Sequence, residues 1–352
     1  MSLLRHVLLT GFWASLSLSV GCGDDREPVR SFEEPLPARL DADEWVFVFG
    51  DEFDGNAVDL AKWMPLDGDP GHKNTINSTS SSRVAVRDGS IFVTAVPKPE
   101  DKAFPYATGY VDTSGLFAQT YGKIEFRARC QYAPGVWYAL WGRSWRRLVP
   151  ELDIEFLAEN INQAWFVNHW GVPPAAADDR RGFTTVDGLD ITDFHTYTIT
   201  WKPDLVEWQI DGKAFRRVTD PARIPHEPMF WVMNAWVGGW GGTPKPATAF
   251  PAGVEVDYLR IYRLREWSTA PAIAIADPKS KYPLTGAISV ELADYEPGAR
   301  VEVRDGATLV ATMTKPPFRF PTANLSRSAH ELTFTGTDGA RMASTSISIT
   351  VY

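Results

Sequence analysis

Residues 150–156 read PELDIEF: three carboxylates, Glu151, Asp153 and Glu155, alternate with three apolar residues, Leu152, Ile154 and Phe156. Side chains alternate across a β-strand, so a strand here carries the acids on one face and the apolar residues on the other. The apolar face predicts packing between two sheets. The acidic face is either a solvated edge or the lining of a groove. An ordinary exposed face would mix in Lys, Thr or Ser, because neighbouring like charges repel. Crowding raises the pKa of at least one acid, which is how a site keeps one carboxyl protonated beside an ionised partner.

Spacing adds to the second reading. Cα atoms four positions apart on a strand lie roughly 13 Å apart. Two Glu side chains leaning together could bring their carboxyls to the about 5–5.5 Å of a retaining glycosidase, rather than the longer gap of an inverting one. Asp153 would sit between them and keep their pKa values apart. The pattern by itself leaves both readings open.

Outward from this stretch the chain is strand-like. WVFVFGDEF, SIFVTAV, GKIEFRARC, QAWFVNHW, FHTYTITWK, LVEWQIDGKAF, MFWVMNAWV and VEVDYLRIYRL alternate or run apolar, and Gly, Pro, Asn and Asp clusters separate them. No long run has helical period. The class is all-β, and this many strands in one unit predicts a sandwich of two antiparallel sheets. Composition shifts after Glu266: Trp is absent beyond Trp267, while Thr, Ser and Ala rise. About seven short strands follow in the last 85 or so residues, the size of an immunoglobulin-like sandwich. The acids of that segment are scattered and His330 is its only histidine, so it reads as a spacer or binding module.

The 352 residues include 14 Trp and 12% aromatics, enough to bury a large core, with disorder excluded for most of the chain. Exposed Trp would suit stacking on the apolar C–H faces of sugars; core packing is the plainer account of most of them. Net charge is −9, with no basic run, which argues against nucleic acid, where Lys and Arg must neutralise phosphates. It is neutral about uncharged polymers.

Arg5 and His6 precede the apolar run VLLTGFWASLSLSV, then Gly21-Cys22 and a polar stretch. This is a signal-peptide layout over residues 1–21, too short to span a bilayer comfortably. Cys22 resembles the lipidated first residue of a bacterial lipoprotein, although Ser19 stands where that pattern prefers Leu. Plain secretion is the alternative. The expected location is therefore extracellular or the bacterial surface, with Cys22 the only membrane attachment. Residues 22–42, rich in Pro and charge, read as a linker. Cys130, in a strand pattern, reads as a small buried hydrophobe.

The motif Glu151-x-Asp153-x-Glu155 resembles that of glycoside hydrolase family 16, which includes β-glucanases acting on laminarin and lichenan, agarases and carrageenases. The resemblance extends in order through FGDEFDGNAVDLAKW, GYVDTSGLFAQTYGKIEFRARC, GVWYALWGRS, DFHTYTITWKPDLVEWQIDGK and MFWVMNAWVGGWGG, covering about residues 45–265. It implies a jelly-roll, concanavalin A-like sandwich as a catalytic domain over 43–266, with the immunoglobulin-like module, 267–352, outside it. It implies Glu151 as nucleophile, Glu155 as general acid/base and Asp153 as the assisting acid in a double displacement. Weaker implied substrate contacts are Trp141, Asn234, Trp236, Glu125 and, after the motif, His169. His195 reads as structural, and His72 and His226 lack partner spacing for a metal. No cofactor is needed for the chemistry. Many members bind one structural Ca2+, for which Asp257 with backbone oxygens near Gly89 would be the match.

The resemblance specifies endo-attack on a β-linked polysaccharide better than it specifies the polymer. A β-1,3- or β-1,3-1,4-glucan is favoured, cleaved by a protein expected to be a monomer. Arg143, Arg146 and Arg147 could instead serve an anionic galactan, or form a solvated loop. Val149 stands where strict lichenases usually carry Trp. A transglycosylase, and a glucan-binding protein without catalysis, are the remaining alternatives; the presence of both Glu151 and Glu155 argues against the last.

Overall fold

A computed structural model describes residues 24–26, 29–36, 45–68, 74–144, 149–171, 180–264, 271–295, 298–338 and 341–352. The expected signal segment 1–21, Cys22, His72, Arg146 and Arg147 lie outside the described residues.

The acids do sit on a strand, Glu151–Leu157. Leu152, Ile154 and Phe156 are completely buried, as alternation requires. Each such burial is worth about 1.5–3 kcal/mol. This strand lies in a nine-stranded sheet, between Val136–Ser144 and Gln163–Trp170. Beyond those come Met229–Val237 and Tyr110–Asp112 on one side and Arg180–Asp187 on the other. A ten-stranded sheet, with Gly122–Cys130, His195–Lys202 and Ala252–Leu264 among its members, supplies the other half of the core.

Four of the tryptophans, Trp63, Trp201, Trp208 and Trp231, fill that core. Trp208 reaches across it and donates to the Asp153 carbonyl at 3.1 Å, tying the middle of the acid strand to the opposite sheet. Gly142 makes room for another: a Cβ there would lie 2.7 Å from the Trp231 ring. Arg216 is buried beneath the acid sheet, donating to Asn168 Oδ1 at 2.6 Å and Thr184 Oγ1 at 3.1 Å. A buried cation is tolerated only when so bonded. Cys130 is a buried free thiol.

The reading of residues 22–42 as a linker needs correction. Asp24–Arg26 and Arg30–Ser31 pair in parallel with Arg180–Asp187 and extend the acid sheet. Phe32 stacks on Phe215, and the Phe32 amide donates to the Asp187 carbonyl at 2.7 Å. Main-chain pairing of this kind needs no apolar pattern, which is why a Pro-rich, charged segment can join a sheet edge.

From Ala272 onward a second body has its own core, including Ile288, Val301, Phe320 and Phe334. Its strands form a three-stranded and a five-stranded sheet. His330 bonds the Asp305 carboxylate through Nδ1 at 2.6 Å and the Ser326 carbonyl through Nε2 at 2.9 Å, both within this body, so it is structural.

Candidate active site

Strand register sets the site. On the face of the nine-stranded sheet opposite the core, Phe230, Arg143, Glu151, His169 and Arg181 form one row across five strands. The next row is Asp112, Val232, Trp141, Asp153, Val167 and Phe183. The third is Tyr110, Asn234, Ala139, Glu155, Trp165 and Thr185. Side chains on the outer face of a sheet are normally open to water. Here Trp141 and Trp236 are only 6% and 7% exposed, so the face is the floor of a walled cleft.

The three acids meet a histidine there. His169 Nε2 lies 3.7 Å from Asp153 Oδ2 and 4.0 Å from Glu151 Oε1. Asp153 is buried, while Glu151 and Glu155 keep partial access from the cleft. Burial pushes Glu155 up to about 7; the charge of Glu151 adds to the rise, and His169 and Arg181 oppose it. A carboxyl that titrates near neutrality, beside a second carboxylate, can donate a proton in one step and take one in the next.

The implied contacts sort themselves by strand. Trp141 Nε1 donates to Asn234 Oδ1 at 2.7 Å, so these two hold each other in the floor. Trp236 packs edge-on against Trp137 at 5.0 Å and Trp141 at 6.3 Å. His169 is at the acids. Glu125 is not in the cleft and that expectation is corrected. Ile124 and Phe126 point into the core from the ten-stranded sheet, so alternation turns Glu125 outward on the opposite side of the sandwich, where it pairs with Lys123 at 3.3 Å. His195 bonds Asp211 at 2.7 Å and the Asp190 carbonyl at 3.1 Å, a structural role.

Several cleft residues went unread in sequence. Trp137 and Trp165 lie four residues from Trp141 and His169 on the same strands, so period two would have found them. Trp165 stacks on Phe183 at 5.2 Å. Trp240 comes from a Gly-rich turn with no period to betray it, and Arg181 lies over its ring at 4.4 Å. Asp112 is held above its ordinary range by burial, with Ser114 and Arg143 opposing. Arg143 stands in the row of Glu151, and its charge also acts on Asp112, two strands and one row away.

The calcium expectation does not fit. Asp257 accepts from Arg127 Nη1 at 2.6 Å, so its carboxylate is neutralised by a guanidinium that a cation would have to displace. Chelation with EDTA is expected to shift the melting temperature by less than about 2 °C, below the about 2–4 °C that loss of 1 kcal/mol costs a domain of this size. A drop of 5 °C or more, restored by Ca2+, would overturn this.

An all-β sandwich whose walled outer face carries two glutamates, a bridging aspartate and an aromatic floor belongs to the class of carbohydrate-cleft proteins. The family Glycosyl hydrolases family 16 matches residues 72–260, more than half of the chain, and the chain belongs to that family. A β-glucanase of Rhodothermus marinus is 30% identical over 277 residues, spanning 70% of this chain and 92% of the relative. The X-ray structure of the laminarinase from the same organism superposes with a TM-score of 0.57 at 28% identity, covering 64% of this chain and all of that one. The glucan endo-1,3-β-glucosidase A1 of Niallia circulans is 28% identical over 260 residues, 61% of this chain. This chain spans only 37% of that relative's length.

Proposed function

We propose that this protein is an endo-acting, retaining glycoside hydrolase of β-1,3- or β-1,3-1,4-glucan. The observation that carries the reading is Glu155, held near neutrality by burial and by the charge of Glu151 on the same strand face. Glu151 attacks the anomeric carbon while Glu155 gives its proton to the leaving oxygen. The glycosidic bond breaks and a glycosyl-enzyme ester forms. Glu155, now a carboxylate, takes a proton from water, whose oxygen attacks the same carbon and releases Glu151. Two inversions leave the β-configuration. A sugar hydroxyl in place of water makes the same protein a transglycosylase. Asp153 and His169 hold the charge distribution between the two glutamates.

The names of the Rhodothermus and Niallia relatives support a glucan. We also propose a secreted or surface-anchored protein with Cys22 as its lipid attachment, acting as a monomer, and an immunoglobulin-like character for residues 267–352. Incubation with laminarin, mixed-linkage barley glucan, lichenan, agarose, carrageenan and xyloglucan, scored by reducing ends and product length, tests the substrate. Cleavage of the glucans alone supports the proposal. Cleavage of agarose or carrageenan alone moves the activity to a galactan, and retained binding without cleavage makes the protein a glucan-binding one. For the anchor, metabolic labelling with a palmitate analogue should mark the wild type but not Cys22→Ser.

A further inference from the structure

The C-terminal body is seated on the catalytic one at a defined point. Asp294, in a left-handed conformation with φ 61°, accepts from the Thr120 amide and the Thr120 hydroxyl, both at 2.8 Å. The Asp294 amide in turn donates to the Ala118 carbonyl at 3.2 Å. Asp tolerates this backbone region better than most residues, so the turn that presents the carboxylate suits its side chain. The space between the two bodies here, bounded by Phe117, Tyr121, Arg263, Tyr295 and Arg341, is a cavity of about 30 Å3. That is room for little more than a water. The two bodies meet closely at this point.

The seating is at the cleft. Ala272, Ala274 and Ala293 of the second body belong to one apolar cluster with Ala118, Phe230, Trp141 and Trp236 of the cleft floor. Phe230 is in the same row as Glu151, two strands away, or roughly 10 Å. A polymer reaches that far; a single sugar held at Glu151 does not. Ala274 also lines a cavity of about 510 Å3 between the strands Ala272–Ile275 and Arg341–Val351. Its other walls mix carboxylates and hydroxyls, Asp277, Glu291, Thr345 and Ser346, with apolar Ile275 and Pro278. Polar groups set among apolar surface suit an uncharged, hydroxyl-rich ligand.

We propose that this cavity is an accessory binding site for the polysaccharide, held in line with the cleft by the Asp294–Thr120 contact, so that a long glucan chain is gripped at both places at once. The inference rests on the glucan reading above. Linked sites raise affinity only while their geometry lets one ligand engage both. Undocking the second body, or stripping the cavity, therefore costs affinity for long chains and leaves short ones untouched.

The test compares kinetics on laminarin or barley glucan with those on a glucan tetrasaccharide, in the full chain. Asp294→Ala and Glu291→Ala are each expected to raise KM for the polymer about 3–10-fold, a loss of about 1 kcal/mol. The kcat, and both constants for the tetrasaccharide, should stay within about twofold of wild type. Asp294→Asn, which can bond both Thr120 groups with one of them reversed in polarity, should recover wild-type behaviour. Thr120→Val, which removes only the hydroxyl bond, gives an intermediate effect and serves if Asp294→Ala does not fold. A polymer KM unchanged in either Asp294→Ala or Glu291→Ala, or equal losses on both substrates, overturns the inference. A wild type that cleaves no glucan sinks the functional reading instead, and is seen before any variant is made.

Discussion

Replacing Glu151 by Gln is expected to reduce glucan hydrolysis by roughly 10⁴-fold or more, as removal of a covalent nucleophile does when the rest of the site survives. The side chain lies in the cleft with its strand fixed from both neighbours, so Gln should fit without disturbing the fold. Circular dichroism and melting temperature would establish that. Azide added to Glu151→Ala should restore turnover of an activated β-glycoside, because a small anion can enter the vacated space. It should yield the inverted, α-configured azide. A variant that keeps a tenth of wild-type activity would mean that Glu151 does not form the intermediate, and with it the double displacement fails.

Glu155→Gln should have two effects of opposite sign. Activity falls roughly 10²–10⁴-fold on polymers, whose leaving oxygen needs a proton. The loss is much smaller for formation of the intermediate from a dinitrophenyl glycoside, whose leaving group needs none. In the wild type, kcat/KM should decline as pH rises through about 7, where Glu155 loses its proton. Stability moves the other way. A carboxyl whose folded pKa is raised binds its proton more tightly in the native state. Its contribution is fully present below the ordinary value of 4.5 and is lost as pH rises through about 7. Gln cannot ionise, so the variant should be the more stable protein at pH 8, by on the order of 2–3 kcal/mol, with the advantage vanishing below about pH 4.5. Denaturant melts at pH 4, 6 and 8 would show it. Equal stability of the two proteins at all three would mean that burial does not hold Glu155 near neutrality.

The core of the site was legible because its logic is local. Glu151, Asp153 and Glu155 share a face by the geometry of the strand that carries them, and Leu152, Ile154 and Phe156 are buried for the same reason. Nearly all the strands quoted from the sequence exist, since alternation and turn residues are properties of short stretches. The same period of two places Trp137 and Trp165 on the cleft face of their strands. Glu125 shows the limit: alternation marks its strand, Gly122–Cys130, but nothing in nine residues says which of two sheets they join.

What the sequence by itself determined is the all-β class, the three-acid face and its family, because these depend on period two and on side-chain chemistry at fixed spacing. Tertiary structure alone decided which residues from distant strands join the acids. Pairing register brought His169 and Arg181 into the row of Glu151, and a Gly-rich turn brought Trp240 over Arg181. It also decided how far Glu155 is shifted, since desolvation depends on walls built from several parts of the chain. The Asp24–Arg26 edge strand and the Asp294 dock rest on hydrogen bonds to main-chain and small polar groups far away in sequence. Such bonds leave no pattern in the residues that make them.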